Sequence, residues 1–292
     1  MRAYERFLKY AVIDTTSDPK SASAPSSACQ WDLANLLVDE LNALGLCDVK
    51  CSEYGVVTAV LPATEGCENV PAIGFIAHMD TSPAFSGANV CPILHENYDG
   101  EDIHLPKDGR VISVEMFPGL KKLKGRTVIT ADGSTLLGGD DKAGIAEIMT
   151  LCEELIAAGT PHGKICVGFT PDEEIGRGTE HFDVPAFGAK YAYTVDGGTE
   201  GSISYENFNA ASADIEIAGV SVHPGGAKGR MENALRIAME LDAMLPSDEV
   251  PEKTEGYEGF FHLTDLHGDV AKAKASYIIR DHDMEKLLAR KA

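Results

Sequence analysis

The segment Ala72 to Met79, A-I-G-F-I-A-H-M, is a short and nearly continuous apolar run that closes on an imidazole. Two further runs have the same texture: Lys164 to Thr170 (K-I-C-V-G-F-T) and Tyr191 to Asp196 (Y-A-Y-T-V-D). Runs of this kind are expected of strands buried on both faces of a largely parallel sheet. Helical patterns alternate with them, so the fold class is α/β. Each run also ends at, or just before, an ionisable cluster: His78 and Asp80, then Glu173 and Glu174, then Asp196. Open α/β sheets bind ligands beyond the carboxyl ends of their strands, which gives this edge a geometric claim to be the functional site.

Leu137 to Gly144, L-G-G-D-D-K-A-G, brings two more carboxylates, Asp140 and Asp141, into a glycine-flanked turn. Ile145, Ile148, Met149, Cys152, Leu155 and Ile156 follow at helical spacing. Asp141 suits a helix cap, because a carboxylate is favoured at the positive end of a helix. Capping leaves Asp140 without a job. A phosphate-binding turn is rejected, since two aspartates repel an anion and the P-loop lysine spacing is absent.

Outward from these motifs, residues 1–13 and 29–44 carry helical patterns, the second with a stripe of Ala34, Leu37, Val38, Leu41 and Leu44 closed by Gly45. Thr15 to Ser27 reads as a loop, and Val49 to Ser52 and Val56 to Leu61 read as strands. After Asn207 the texture changes. Ala211 to Ala218 alternates with a period of two, a helix spans about 229–245, two strands cover 259–266 and 271–280, and a helix starts at Met284. The order β-α-β-β-α is a ferredoxin-like unit without its final strand. Two domains are therefore expected, 1–206 and 207–292.

The formal charge of −21 disfavours nucleic acid and anionic membrane as partners. No apolar run approaches the length of a membrane span. Seven cysteines without a C-x-x-C pair fit reduced thiols and a cytoplasmic location. His181, His262, His267 and His282 belong to no motif and are expected at the surface, while Tyr4, Phe7, Trp31 and the methionines are expected in the core.

His78, Asp80, Asp140, Glu173, Glu174 and Asp196 together form a strongly acidic set with one imidazole. Gathered at one edge, these groups would repel each other without cations. Zinc, cobalt or manganese accept such mixed nitrogen and oxygen ligands, and a carboxylate can bridge two ions. Of two adjacent glutamates, one can bind metal while the other handles a proton.

Five motifs carry a resemblance: Ala77 to Pro83 (A-H-M-D-T-S-P), Leu137 to Gly144, Phe169 to Gly176 (F-T-P-D-E-E-I-G), Tyr193 to Gly198 (Y-T-V-D-G-G) and Gly219 to Gly225 (G-V-S-V-H-P-G). In this order they resemble the M20 family of dinuclear zinc peptidases, and within it the peptidase T group of tripeptide aminopeptidases. The resemblance implies a zinc-peptidase (phosphorylase/hydrolase-like) catalytic domain with a mixed, largely parallel sheet and an inserted ferredoxin-like α+β lid. It implies that His78, Asp140 and Asp196 hold one zinc, and that Asp140 bridges to a second zinc that also takes Glu174. Glu173 would be the general base for a water bridging the ions, Asp80 would fix His78, and His223 and Arg280 of the lid would contact a short peptide substrate. Chemically, an imidazole can donate to a tetrahedral oxyanion and a guanidinium can clamp a terminal carboxylate. Taken alone, the His223-Pro224 pair reads as a turn and Arg280 as a surface residue.

Family members usually carry a residue larger than Gly139 before the bridging aspartate. They also continue past the position of Ala292, adding a lid strand and a histidine for the second zinc. The resemblance thus implies that both domains are incomplete here, that one zinc is held tightly rather than two, and that hydrolysis is poor. Two alternatives stand beside the aminopeptidase: an M20 dipeptidase or amidohydrolase, and an inactive metal- or peptide-binding fragment. The open lid edge invites pairing with a second copy, which would give a homodimer.

Overall fold

The computed structural model describes residues 1–292, which form two compact units, Met1–Glu200 and Gly201–Ala292. Residues 201–208 carry no helix or strand, so the break at 200 and the expected one at 206 fall in the same connecting segment.

In the first unit, helix α1 (Ala3–Ala11) buries Phe7, Tyr10 and Ala11, and α2 (Gln30–Leu44) buries Leu33, Ala34, Leu37 and Leu41. Gly45 ends α2 in the left-handed region (φ 85°), as its place after the apolar stripe predicts. Strands β1 (Cys47–Cys51), β2 (Val57–Leu61) and β3 (Ile73–His78) follow. An excursion then builds two small antiparallel pairs that the sequence pattern did not reveal. In it, β4 (Ile93–His95) pairs with β7 (Val128–Thr130), and β5 (Ile103–His104) with β6 (Val111–Ile112). Helix α3 (Gly139–Ala158), β8 (Ile165–Thr170), the short α4 (Val184–Phe187) and β9 (Tyr191–Thr194) complete the unit.

The five-stranded sheet runs β1-β2-β8-β3-β9. β3 lies parallel to both β8 and β9, whereas β1–β2 and β2–β8 are antiparallel. The sheet is mixed, and its parallel part is the part that bears the site. The core gathers α1, α2 and α3 against it, with Ile145, Ile148, Met149 and Cys152 of α3 meeting Phe7, Leu37, Val57, Ala77 and Phe169. Ile156, at the end of the α3 apolar pattern, is exposed.

Burial on both faces holds for β8 alone, where every residue is buried. β3 is buried at Gly74, Ala77 and His78, and β9 is exposed along its whole length. The reason is position: β8 sits at the sheet centre, while β9 is an edge strand. Apolar content did not distinguish the two. The methionines also divide, Met79 and Met149 being fully buried and Met116, Met239, Met244 and Met284 exposed.

The second unit contains β10 (Asn209–Ala218), α5 (Ala234–Met244), β11 (Phe260–Gly268), β12 (Lys272–Asp281) and α6 (Met284–Lys291). Its sheet is antiparallel in the order β10-β12-β11, the arrangement of a ferredoxin-like β-α-β-β-α unit. Ala273, Ala275, Tyr277 and Ile279 alternate into the buried face of β12. Helix α5 starts later than the pattern suggested. Val220 pairs with Glu232 in an isolated bridge, and the Asn233 side chain then caps the helix by accepting from the Leu235 and Arg236 amides. No helix is long and apolar enough to cross a membrane.

Candidate metal centre

Because β3, β8 and β9 run in parallel, the residues following them meet at one sheet edge. β3 delivers His78 and, two residues on, the fully buried Asp80. The turn after β8 delivers Glu173 and Glu174, the end of β9 delivers Asp196, and the start of α3 delivers Asp140.

His78 is the hub. Its Nδ1 lies 3.0 Å from the Asp80 carbonyl oxygen and 3.4 Å from Asp80 Oδ1. With its Nδ1 proton held by these oxygens, Nε2 is the ring nitrogen that can give up its proton and turn a lone pair to a cation. Nε2 lies 2.9 Å from Asp140 Oδ1 and 3.9 Å from both Glu173 Oε2 and Asp196 Oδ2. Two groups of donor atoms fall within 4.8 Å of one another: His78 with Glu173 and Asp196, and His78 with Asp140 and Glu174. Each of the four metal-ligand candidates falls in one of these groups, but the set expected for the first zinc is not among them: Asp196 groups with Glu173, and Asp140 with Glu174.

Asp80 does more than the sequence suggested. Its Oδ1 accepts the Glu173 amide at 2.9 Å and its Oδ2 the Glu174 amide at 3.1 Å. One buried carboxylate thus ties the end of β3 to the turn after β8. No sequence signal marks this, since any residue except proline offers such an amide.

Asp140 and Asp141 have non-helical backbone angles, so the regular part of α3 starts after them and Asp141 caps it, accepting from the Gly144 amide at 3.2 Å. It also accepts the His78 amide at 3.1 Å, and the Asp140–Asp141 peptide is cis. Neighbouring Lys142 is buried, with Nζ donating to the Ile13 carbonyl at 2.7 Å; burial lowers its pKa to about 8.

The electrostatics fit a cation site. Burial alone would lower the His78 pKa, but Asp80, Asp141 and Asp140 outweigh it and push it up to about 10. Burial raises Asp141 to about 8, with Asp196 adding to the rise and His78 opposing it. Glu173, Glu174 and Asp196 are also raised, chiefly by burial and then by neighbouring carboxylates. Neighbouring carboxylates add to each of these shifts, and a divalent cation with nitrogen and oxygen ligands would relieve that part of the crowding. The donor set accordingly fits a metal such as zinc.

Close packing at the helix start is itself testable. A Cβ placed on Gly144 would lie 2.0 Å from the Val195 carbonyl oxygen and 2.4 Å from Asp141 Oδ1. Gly144→Ala should therefore cost about 1–3 kcal/mol, as overpacking does, and displace Asp196 by pushing on Val195. Chemical denaturation and metal titration would check this; an unchanged midpoint with unchanged metal affinity would refute it.

The remaining candidates lie in the second unit. His223 Nδ1 accepts the Gly225 amide at 3.1 Å within a local turn, which leaves Nε2 to carry the ring proton. Arg280 is no simple surface residue. Its Cζ lies 4.2 Å from the Phe208 ring centroid, and its Nε is sealed without a partner. It lines a cavity of about 240 Å³ with Phe208, Phe260 and His282. His282, expected at the surface, is half-buried because its ring packs edge-on against Tyr257 at 4.9 Å.

Residues 205–291 match the M20 peptidase dimerisation domain. In fold, the chain resembles the aminopeptidase PepT of Bacillus cereus, with a TM-score of 0.68 and 24% identity over 99% of this chain and 68% of that one. It also resembles a tripeptidase of Staphylococcus aureus, with a TM-score of 0.67 and 22% identity over the same shares. The domain match marks an M20-type dimerisation domain, and the two structures share the fold. Peptidase T of Geobacillus kaustophilus is 57% identical over 290 residues, which are 99% of this chain and 70% of that protein. Peptidase T of Listeria monocytogenes is 56% identical over 289 residues, again 70% of its length. The chain belongs to the peptidase T family.

Proposed function

We propose that this protein is a metal-dependent aminopeptidase that hydrolyses the N-terminal peptide bond of tripeptides. The observation that carries the reading is the pair of nitrogen–oxygen donor groups sharing His78 at the ends of three parallel strands. His78, Asp140, Glu174 and Asp196 would hold the metal, zinc by resemblance, with Asp140 serving both ions of a pair. When bound, such ions supply Lewis-acid activation of water and of the scissile carbonyl.

The chain's own residues do the rest. Glu173 takes a proton from the attacking water and returns it to the leaving amine, work suited to a carboxyl whose pKa burial has raised. Asp80 fixes both the His78 ring and the two glutamate amides. In the second unit, His223 can donate from Nε2 to a developing oxyanion, and Arg280 can pair with a substrate carboxylate. Membership of the peptidase T family supports the tripeptide as substrate.

A panel of tripeptides, dipeptides and N-acetylated amino acids tests this. Tripeptides with a free amine should be cleaved best, a chelator should abolish turnover, and zinc, cobalt or manganese should restore it. Preference for a blocked amine would overturn the aminopeptidase reading in favour of an amidohydrolase. The dimerisation-domain match supports a homodimer, and the free cysteines support a cytoplasmic location.

A further inference from the structure

The turn that presents Glu173 and Glu174 begins with Asp172, and this residue is unusual in three ways. It is 2% exposed. It adopts the left-handed backbone region (φ 60°, ψ 24°), which costs a non-glycine residue energy and persists only when its surroundings hold it there. Its carboxylate also faces away from the metal ligands, into a loop distant in sequence. Ser26 donates to it from its amide at 2.8 Å and from its hydroxyl, and Gln30 Nε2 donates at 2.8 Å. The Gln30 side chain answers in the other direction, its Oε1 accepting the Asp172 amide at 3.3 Å.

The same loop is stitched to the turn a second time. Arg177 donates from Nη1 to the Ser21 carbonyl at 2.9 Å and from Nη2 to the Ser23 carbonyl at 2.6 Å. Residues 21–30 therefore grip both ends of the segment 172–177, while Asp80 holds the amides in its middle.

We propose that Asp172 is a positioning residue for the reaction: clamped by Ser26 and Gln30, it sets the direction in which Glu173 and Glu174 leave the strand end. It touches neither substrate nor metal and acts only through the two glutamates. The proposal rests on the functional reading above for what those glutamates do. Aspartate is required because donors converge on both carboxylate oxygens. An asparagine in its place turns its NH2 toward the Ser26 amide in one orientation and toward Gln30 Nε2 in the other, and either pairing sets donor against donor.

The test is a double-mutant cycle of Asp172→Asn with Glu173→Gln, read by kcat and KM, beside calorimetric titration of the metal-free protein with Zn²⁺. Asp172→Asn should lower kcat by about 10- to 100-fold, the usual effect of removing a partner that orients a site residue. KM should stay within about threefold, since ground-state binding is not touched. Zn²⁺ affinity should fall by about tenfold through the displaced Glu174. With Zn²⁺ held at saturation, so that the weaker Glu174 site stays filled, Asp172→Asn should lower kcat little further in the Glu173→Gln background, because the proton-transferring group it positions is already gone. Losses that simply multiply in the double variant would show a general structural role and overturn the proposal, as would an unchanged kcat. If Asp172→Asn fails to fold, Gln30→Leu removes one donor of the clamp, and an unchanged kcat and Zn²⁺ affinity there would overturn it equally. Full turnover in Glu173→Gln alone would refute the functional reading instead, and the Zn²⁺ titration of Asp172→Asn would still decide the clamp.

Discussion

Turnover should fall by about 10²–10⁴-fold when Glu173 is replaced by glutamine, the range that separates reactions with and without a positioned acid or base. The amide is nearly isosteric and keeps the main-chain N–H that donates to Asp80 Oδ1, so the turn should survive the change. What is lost is a carboxyl that can take and return a proton. Metal content should stay close to that of the unsubstituted protein, because Glu174 and Asp196 remain. The two donor groups give this measurement its force, since Glu173 lies in one of them beside His78 and Asp196. Elemental analysis after dialysis, run beside the kinetics, separates the roles. Loss of metal with activity would reassign Glu173 as a ligand, and full activity would remove it from the mechanism.

Substitution of His78 by alanine should be more damaging to metal binding than any other single change at the site. His78 is the one member common to both donor groups, and it supplies their only nitrogen. Its loss leaves a purely carboxylate set, which suits magnesium or calcium better than zinc. Zinc affinity should fall by more than the about 10- to 100-fold typical of removing an outer partner, and turnover should disappear with it. Stability should fall as well, and by a route that does not involve the metal. Without metal, removing an imidazole also removes the positive partner that offsets Asp80, Asp141 and Asp140, so the metal-free variant should unfold at lower denaturant concentration than its metal-free parent. A variant that retains zinc at the parent's affinity would show that the site is organised around other residues.

Much of this arrangement was legible in the chain. Three apolar runs each ending in ionisable residues gave the α/β class, the sheet edge and the residues on it, because strand direction converts sequence order into position. The alternating pattern after Asn207 likewise led to a ferredoxin-like unit. What escaped was whatever depends on neighbours in space. Tyr191 to Thr194 has the composition of a buried strand yet lies exposed at the sheet edge, and edge or centre is not a property of the segment itself. The small pairs β4–β7 and β5–β6 are two or three residues per strand, too short to show a period. Asp80 was marked only as a partner of His78, since its grip on two main-chain amides needs no particular side chain in return. Asp172, Ser26 and Gln30 were invisible for a similar reason: a loop rich in serine and proline gives no hint of which distant carboxylate it will hold. His282 was misjudged because the Tyr257 ring, distant along the chain, packs against it.

The parallel pairing of β3 with β8 and β9 also bears on how the molecule comes together. Ile73 finds Ile165 on one side and Tyr191 on the other, so these ladders close only after long stretches of chain have been drawn in. Such non-local pairings form slowly, because the entropy of closing a long loop is lost before the contacts compensate for it. Until they form, His78, Asp140, Glu173, Glu174 and Asp196 are scattered along a hydrated coil and their like charges scarcely interact. The mutual repulsion of the carboxylates therefore arises only as these ladders close and draw the strand ends to one edge. An acidic centre of this kind does not obstruct the early collapse of the chain.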